Sequence, residues 1–102
     1  MTYKSQCDKM AYFFSLFSNP LRLQILCELR SGDEKSVNQI STAVGKSKHN
    51  VSQQLKMLRL LNIIKQRKEG RFVYCRINNP ELFQAMEDIS KVLNNNNLGE
   101  SL

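Results

Sequence analysis

The sequence predicts a mainly α-helical domain with one small β-hairpin, which places it in the α+β fold class. Five segments carry apolar residues at the three- and four-residue spacing of a helix. Two short runs rich in β-branched and aromatic residues flank Glu69 and Gly70, a pair typical of a hairpin turn. The 102 residues, 41% of them hydrophobic, suffice for one modest core. We expect a single domain over residues 1–93 and a disordered, asparagine-rich tail over residues 94–102.

The N-terminal third of the chain predicts two helices. The first covers about residues 4–17 and carries a wide apolar face: Met10, Phe13, Phe14 and Phe17, with Tyr12 and Leu16 beside them. Asn19 is suited to cap the second helix, because Pro20 would occupy its first position, where no backbone N–H is needed. The second helix has its core stripe at Leu21, Ile25, Leu26 and Leu29. It is expected to end at Gly32.

A helix-turn-helix is predicted next. Ser36 and Gln39 have the spacing of a capping box for a short third helix, which Gly45 ends. A fourth helix follows after a few residues and takes Ser47 as its cap. Its apolar stripe consists of Val51, Leu55, Leu58 and Leu61, and the front of its first half is basic or amidic without any acid. Two helices joined by so short a glycine-containing turn are typical of this motif.

A hairpin and a last helix complete the order of elements. The predicted strands are residues 63–68 and 72–77, and Asn79-Pro80 opens the last helix. Apolar residues recur along that helix at Leu82, Met86, Ile89 and Leu93. The predicted order of elements is that of a winged helix-turn-helix domain: two helices, a helix-turn-helix, a hairpin and a last helix. In such a domain the fourth helix would enter the major groove of DNA.

Positive charge is concentrated in one part of the chain. Residues 46–76 contain nine basic residues and one acid, Glu69, which gives a net charge of +8. The remaining residues, six basic and eight acidic, carry −2, and the whole chain carries +6. A basic block within a folded segment favours a polyanion-binding surface over an ordinary solvated face. Glutamine can pair with adenine and lysine with guanine, and the hairpin tip would place Arg67, Lys68 and Arg71 against the DNA backbone or minor groove.

Three stretches of the sequence carry a family resemblance: SNPLRLQILCEL, SVNQISTAVGKSKHNVSQQLKMLRLLNII and RKEGRFVYCRI. Over about residues 10–90 the chain resembles the ArsR/SmtB family of small dimeric bacterial repressors. The resemblance implies a homodimer through the first and last helices that binds a pseudo-palindromic operator in double-stranded DNA and represses its own operon. It also implies a DNA-facing set on the fourth helix: Ser47, Lys48, His49, Ser52, Gln53 and Gln54. Lys56 extends this set, unless it is an ordinary exposed helix charge.

Members of this family usually release DNA when an effector binds, and cysteine is the candidate sensor here. The stretch LQILCELRSGDEKSV resembles the family branch that responds to persulfides and reactive sulfur, in which a second-helix cysteine acts with one in the last helix. Cys27 matches the first position, but the last helix has no cysteine, so Cys7 is the candidate partner. An inert buried thiol at Cys27 and metalloid binding are the alternatives. Cys75 shares a strand face with Val73 and Ile77 and is expected to pack in the core.

No metal site or cofactor is expected. The third helix lacks a Cys-x-Cys pair, the last helix lacks histidine, and His49, the single histidine, falls on the DNA-facing set. The three cysteines show no short spacing, which predicts free thiols rather than a disulfide framework.

Other functional classes are less favoured by the sequence. An enzyme is disfavoured because there is no glycine-rich phosphate loop and no cysteine with a histidine or acid at motif spacing. RNA binding is disfavoured because the hairpin lacks an aromatic platform, and a protein-docking winged helix is the remaining alternative. No apolar run approaches the ~18–20 residues of a membrane span, and the N-terminus lacks the apolar core of a signal peptide. We therefore expect a cytoplasmic protein without membrane contact.

Overall fold

The computed structural model describes residues 3–95, which form five helices and three strands. In chain order these are α1 (Tyr3–Ser15), α2 (Pro20–Glu28), β1 (Lys35–Ser36), α3 (Val37–Val44), α4 (Lys48–Leu60), β2 (Ile64–Glu69), β3 (Phe72–Ile77) and α5 (Pro80–Asn95). The mainly helical winged helix-turn-helix fold is thus confirmed. The expected tail over residues 94–102 lies outside the described residues, apart from its first two, which continue α5.

The helix boundaries of the helix-turn-helix follow the capping residues that the sequence offers. The Ser36 hydroxyl accepts from the Gln39 backbone N–H, and the Gln39 side chain accepts from the Ser36 N–H, which completes the capping box. Gly45 ends α3 at φ 69°, a left-handed conformation that glycine adopts without strain. Ser47 then accepts from the Asn50 N–H at 3.1 Å and starts α4. Three residues therefore separate the two helices of the motif.

The second helix is shorter than expected. It begins at Pro20 with Asn19 as its cap, as predicted, but it ends at Glu28 rather than near Gly32. Leu29 leaves helical geometry, and the Gly32 N–H donates to the Leu29 carbonyl at 3.1 Å in a turn that needs φ 85° at the glycine. This early turn frees the segment that follows to run alongside the hairpin.

A third strand joins the predicted hairpin. β1 pairs antiparallel with β3, with Lys35 opposite Cys75 and Ser36 opposite Tyr74, so the sheet order is β1-β3-β2. Two residues are too few to show an alternating pattern, so the sequence gives no periodic signal for β1. β2 and β3, joined by the turn at Gly70 and Arg71, form the structure referred to below as the wing. Gly70 has φ 60°, as two-residue hairpin turns require.

The core lies between the sheet and helices α2, α3 and α4. Its buried apolar side chains are Ile25, Leu26, Leu29, Ile40, Val51, Leu55, Leu58, Ile64, Cys75, Ile77 and Leu82. The prediction that Cys75 packs in the core is confirmed, and burial raises the pKa of its thiol. Among the described residues, α1 adds none to this buried set and α5 adds Leu82. The terminal helices instead expose large apolar side chains: Met10, Tyr12, Phe13, Phe14, Ile89, Val92 and Leu93.

Candidate nucleic-acid interface

Helix α4 is held by its apolar back and leaves its polar front exposed. Val51, Leu55 and Leu58 are fully buried against the core, which fixes the rotation of the helix about its axis. The predicted DNA-facing residues that this rotation exposes are Ser47, Lys48, His49, Ser52, Gln53 and Lys56, called here the reading surface. Lysine, amide and hydroxyl side chains on one exposed helix face can donate to base edges and phosphates.

Gln54 differs from the rest of the predicted set. It is half-buried, and its Oε1 accepts a hydrogen bond from Arg22 Nε at 3.1 Å. Arg22 also donates through Nη1 to the Leu16 carbonyl at 2.9 Å, so it ties α4 to α2 and to the segment that follows α1. Gln54 thus faces the protein scaffold. Arg22 was not among the predicted site residues, and its only signal in the sequence is that it is an arginine within the largely apolar stretch LRLQIL.

A cleft of about 360 Å³, lined by polar side chains and by Val37, Phe72 and Val73, lies between the reading surface and the wing. The cleft brings Lys48 and Ser52 of α4 together with Arg71 of the wing turn, which the sequence could not place relative to one another. Ser36 and Asn38, at the start of α3, also line it and were not among the predicted site residues. Two cations beside hydroxyl and amide groups make this cleft suited to an anionic oxygen such as a DNA phosphate.

The three predicted wing cations are in two different states. Lys68 and Arg71 are exposed, and within residues 3–95 neither forms an ion pair. Arg67 donates through Nε to both Glu34 carboxylate oxygens, at 2.9 and 2.8 Å, and through Nη1 to Glu69 at 2.6 Å. These carboxylates, Glu34 first, hold the pKa of Arg67 above its ordinary value. Arg67 is therefore already engaged with acids of its own chain.

The three cysteines differ in their surroundings. Cys7 is exposed on α1, whereas Cys27 is half-buried on α2 and Cys75 is buried. Cys27 lines an apolar groove of about 420 Å³ between α1, α2 and α5, together with Phe13, Phe14, Leu82, Met86, Ile89 and Leu93. Cys27 is thus neither fully buried nor open to bulk water. In the part of the chain that the structure describes, no three His, Cys, Asp or Glu side chains gather as metal ligands would.

No helix within residues 3–95 combines the length and the apolar character needed to cross a membrane.

Comparison with known sequences identifies the same domain. Residues 19–66 match the family model described as "Bacterial regulatory protein, arsR family". An SmtB homologue from Synechocystis, named a transcriptional repressor, is 38% identical over 69 residues, which are 68% of this chain and 52% of that protein. The HTH-type transcriptional regulator KmtR of Mycobacterium tuberculosis is 32% identical over 75 residues, 74% of this chain and 57% of its own length. The chain thus spans just over half the length of these two relatives.

Structures of longer-matching relatives agree with the fold. The HTH-type transcriptional regulator Rv0081 of Mycobacterium tuberculosis is 33% identical over 84 residues, which cover 81% of this chain and 73% of that protein. Its crystal structure superposes with a TM-score of 0.81 at 26% identity over 95% of this chain and 97% of that chain. Reduced HlyU from Vibrio cholerae gives a TM-score of 0.75 at 30% identity, over 88% of this chain and 93% of that one. With its helix-turn-helix and wing, the chain belongs to the arsR family of DNA-binding winged helix-turn-helix transcriptional regulators.

Proposed function

We propose that the protein is a homodimeric repressor that binds a pseudo-palindromic DNA operator, reading bases with α4 and holding phosphates with the wing. One observation carries this proposal: the acid-free reading surface of α4 borders the cleft that Arg71 of the wing turn also lines. Gln53 and Lys48 are the candidate base-reading residues, and Arg71 is the candidate phosphate ligand. Two such units, one per protomer, would read half-sites about one helical turn apart.

The terminal helices support the dimer. They expose aromatic and aliphatic side chains around the apolar groove. Contact of so large an apolar surface with water is unfavourable in free energy, which favours its burial in an interface. Burying a Phe or Leu side chain contributes roughly 1.5–3 kcal/mol relative to leaving it exposed. A second copy presenting the same two helices would cover both grooves by a two-fold axis, which also matches the symmetry of a palindrome. A solved relative, a winged helix-turn-helix DNA-binding domain from Mycobacterium bovis, is described as homodimeric.

The regulatory part of the proposal concerns Cys27. An organic persulfide would transfer its outer sulfur to the Cys27 thiolate and release an organic thiol. The Cys7 thiolate would then attack the Cys27 sulfur and displace hydrosulfide, which leaves a Cys7–Cys27 disulfide. Both residues lie on helices that border the apolar groove, so the bond would change the packing of the dimer interface and hence the spacing of the two reading helices.

DNA binding is the first experiment. Fluorescence anisotropy with DNA from upstream of the protein's own gene, over a series of salt concentrations, should give specific binding. If the dimer neutralises ~8 phosphates, log affinity should fall against log salt with a slope near −7. A shallow slope, or no binding, would favour the protein-docking alternative.

Sedimentation should show a dimer for the native chain and for Leu60→Asp, whose side chain is exposed on α4, but monomers for Phe14→Asp.

Thiol control is tested with the same DNA at fixed salt. Treatment with an organic persulfide should weaken binding by the native protein and leave Cys27→Ser unchanged. Mass spectrometry should find Cys7 linked to Cys27, and it should find Cys75 unmodified because burial raises the pKa of that thiol. If Cys7 and Cys27 stay unlinked, or if their linkage leaves DNA affinity unchanged, control by persulfide is wrong. The effector would then be a metalloid or another ligand, or the protein would have none.

A further inference from the structure

The Arg67 side chain spans the outer face of the three-stranded sheet. Arg67 on β2 is paired with Tyr74 on β3, and Tyr74 is in turn paired with Ser36 on β1. The guanidinium carbon lies 4.7 Å from the centre of the Tyr74 ring, and its Nε reaches both carboxylate oxygens of Glu34, just before β1. The chain of contacts Arg67, Tyr74 and Glu34 is called here the wing staple.

The wing staple adds a side-chain link between the segment before β1 and the outer part of the wing. β1 is only two residues long, so its ladder alone holds the segment after α2 weakly to the wing. An arginine that places one nitrogen between two carboxylate oxygens and stacks on a ring has a fixed direction, which a lysine ammonium would not have. Exposed ion pairs of this kind add little to the free energy of unfolding, so the structural consequence of the staple is orientation.

We propose that Glu34 and Arg67 are positioning residues for DNA binding, which hold the wing at the angle where Lys68 and Arg71 meet the phosphate backbone. This inference rests on the proposed function, and it gives Arg67 a role different from direct phosphate contact. Arg67 Nε and Nη1 donate to Glu34 and Glu69, whereas Arg71 lines the cleft beside Lys48. Of the three predicted wing cations, Arg67 thus sets the position of the wing, and Lys68 and Arg71 meet DNA.

A variant that removes one acid distinguishes the positioning role from a general effect of net charge on DNA affinity. Glu34→Gln removes one acid and raises the formal charge of the chain by one from +6. If charge alone governed affinity, this variant would bind DNA more tightly. If the staple positions the wing, it should bind at least roughly tenfold more weakly, the scale of one lost charge-assisted contact. Asp33→Asn makes the same charge change at the neighbouring, exposed residue and should bind as well as the native chain or slightly better.

Two Arg67 variants test the same inference independently of Glu34. Arg67→Lys keeps the charge but loses the planar fork, and it should lose affinity as Glu34→Gln does. Arg67→Gln should also weaken binding, and its slope of log affinity against log salt should equal that of Glu34→Gln, because both variants release the same two wing cations from their position. In a dimer, loss of one phosphate contact per half-site would lower the magnitude of that slope by about 1.8. The double variant Glu34→Gln/Arg67→Gln should be no weaker than either single variant.

Anisotropy with operator DNA, together with circular dichroism to verify folding, decides between the outcomes. If Glu34→Gln binds DNA as tightly as Asp33→Asn or more tightly, the positioning role of Glu34 and Arg67 is wrong. Full retention of DNA affinity by Arg67→Lys would contradict it as well. A slope lower by about 1.8 in Arg67→Gln than in Glu34→Gln would make Arg67 a phosphate ligand instead. If the native protein shows no DNA binding, the proposed function itself fails. Any of the first three results leaves that function intact and removes only this inference.

Discussion

Helix α4 and the wing border the same cleft, but they are held in place by different contacts. α4 is oriented by three fully buried side chains on its own back, all within seven residues of each other along the chain. The base of the wing also packs in the core, through Ile64, Cys75 and Ile77. Its outer part is held by the ladder to a two-residue strand and by an ion pair between residues 34 and 67. The support of α4 is thus local and apolar, whereas the support of the outer wing is long-range and polar.

Because of this difference, substitutions behind α4 should affect the free energy of unfolding, whereas substitutions on the outer wing should affect DNA affinity. Apolar burial behind α4 contributes to the free energy of folding, so damage there should unfold the domain. The exposed ion pair on the wing contributes little to folding, so damage there should change DNA affinity in a domain that remains folded. The reading surface and the wing cations can therefore be probed without loss of the fold, whereas the back of α4 cannot.

The largest expected effect comes from the back of α4. Leu55→Ala leaves a cavity at a fully buried position and should lower the free energy of unfolding by about 2–5 kcal/mol. Leu60→Ala on the same helix, where the side chain is 73% exposed, should change it by less than about 0.5 kcal/mol. Urea unfolding at one fixed protein concentration measures both. Similar losses for the two variants would contradict the support assigned to the apolar stripe.

The next effect separates two neighbouring glutamines of α4. Gln53→Ala should weaken binding to specific DNA by about 1–3 kcal/mol and leave non-specific binding unchanged, since it removes a base contact. Gln54→Ala should instead lower the free energy of unfolding by about 1 kcal/mol, because Arg22 loses one of its two acceptors. Competition binding with specific and random DNA, beside urea unfolding, tests the pair. Equal loss of base discrimination in both variants would return Gln54 to the reading surface.

A smaller effect is expected at the wing turn. Arg71→Gln should weaken binding by about 1.5 kcal/mol per half-site for all DNA sequences alike, because a phosphate contact carries no sequence information. The slope of log affinity against log salt should fall in magnitude by about 1.8 for the dimer. Arg30→Gln makes the same charge change at an exposed position after α2 and should leave the slope unchanged. A loss confined to one DNA sequence would make Arg71 a base-reading residue.

Local signals predicted most of the fold. Ser36, Gly45 and Ser47 mark the ends of the helices because capping is decided within four residues of sequence. The early end of α2 escaped prediction because the turn before Gly32 depends on where the following segment must run, beside β3. The two-residue strand β1 exists through its pairing partner, about forty residues later, and leaves no pattern of its own.

The candidate site was predicted in the same uneven way. Helical periodicity predicted which side of α4 is exposed, because the buried stripe determines the opposite face, and the DNA-facing role of that side stays a prediction. It could not assign Gln54, which lies at the edge of that face and meets Arg22 from another helix. Nor could composition distinguish Arg67 from Arg71, since the difference is a carboxylate brought close by the sheet order. Contacts between distant residues are the part that single-sequence patterns do not contain.

The smallest effect is expected from the backbone of the wing turn. Gly70 has φ 60°, and a Cβ there would meet no atom within 4 Å, so Gly70→Ala adds strain without a clash. The cost should be about 1–2 kcal/mol in unfolding free energy, and Gly70→Asn should cost less, because asparagine tolerates the left-handed region. DNA affinity should change less than in Arg71→Gln, since the cations remain. If Gly70→Ala instead weakens DNA binding more than Arg71→Gln does while Gly70→Asn retains it, the shape of the turn, rather than its charge, governs how the wing meets DNA.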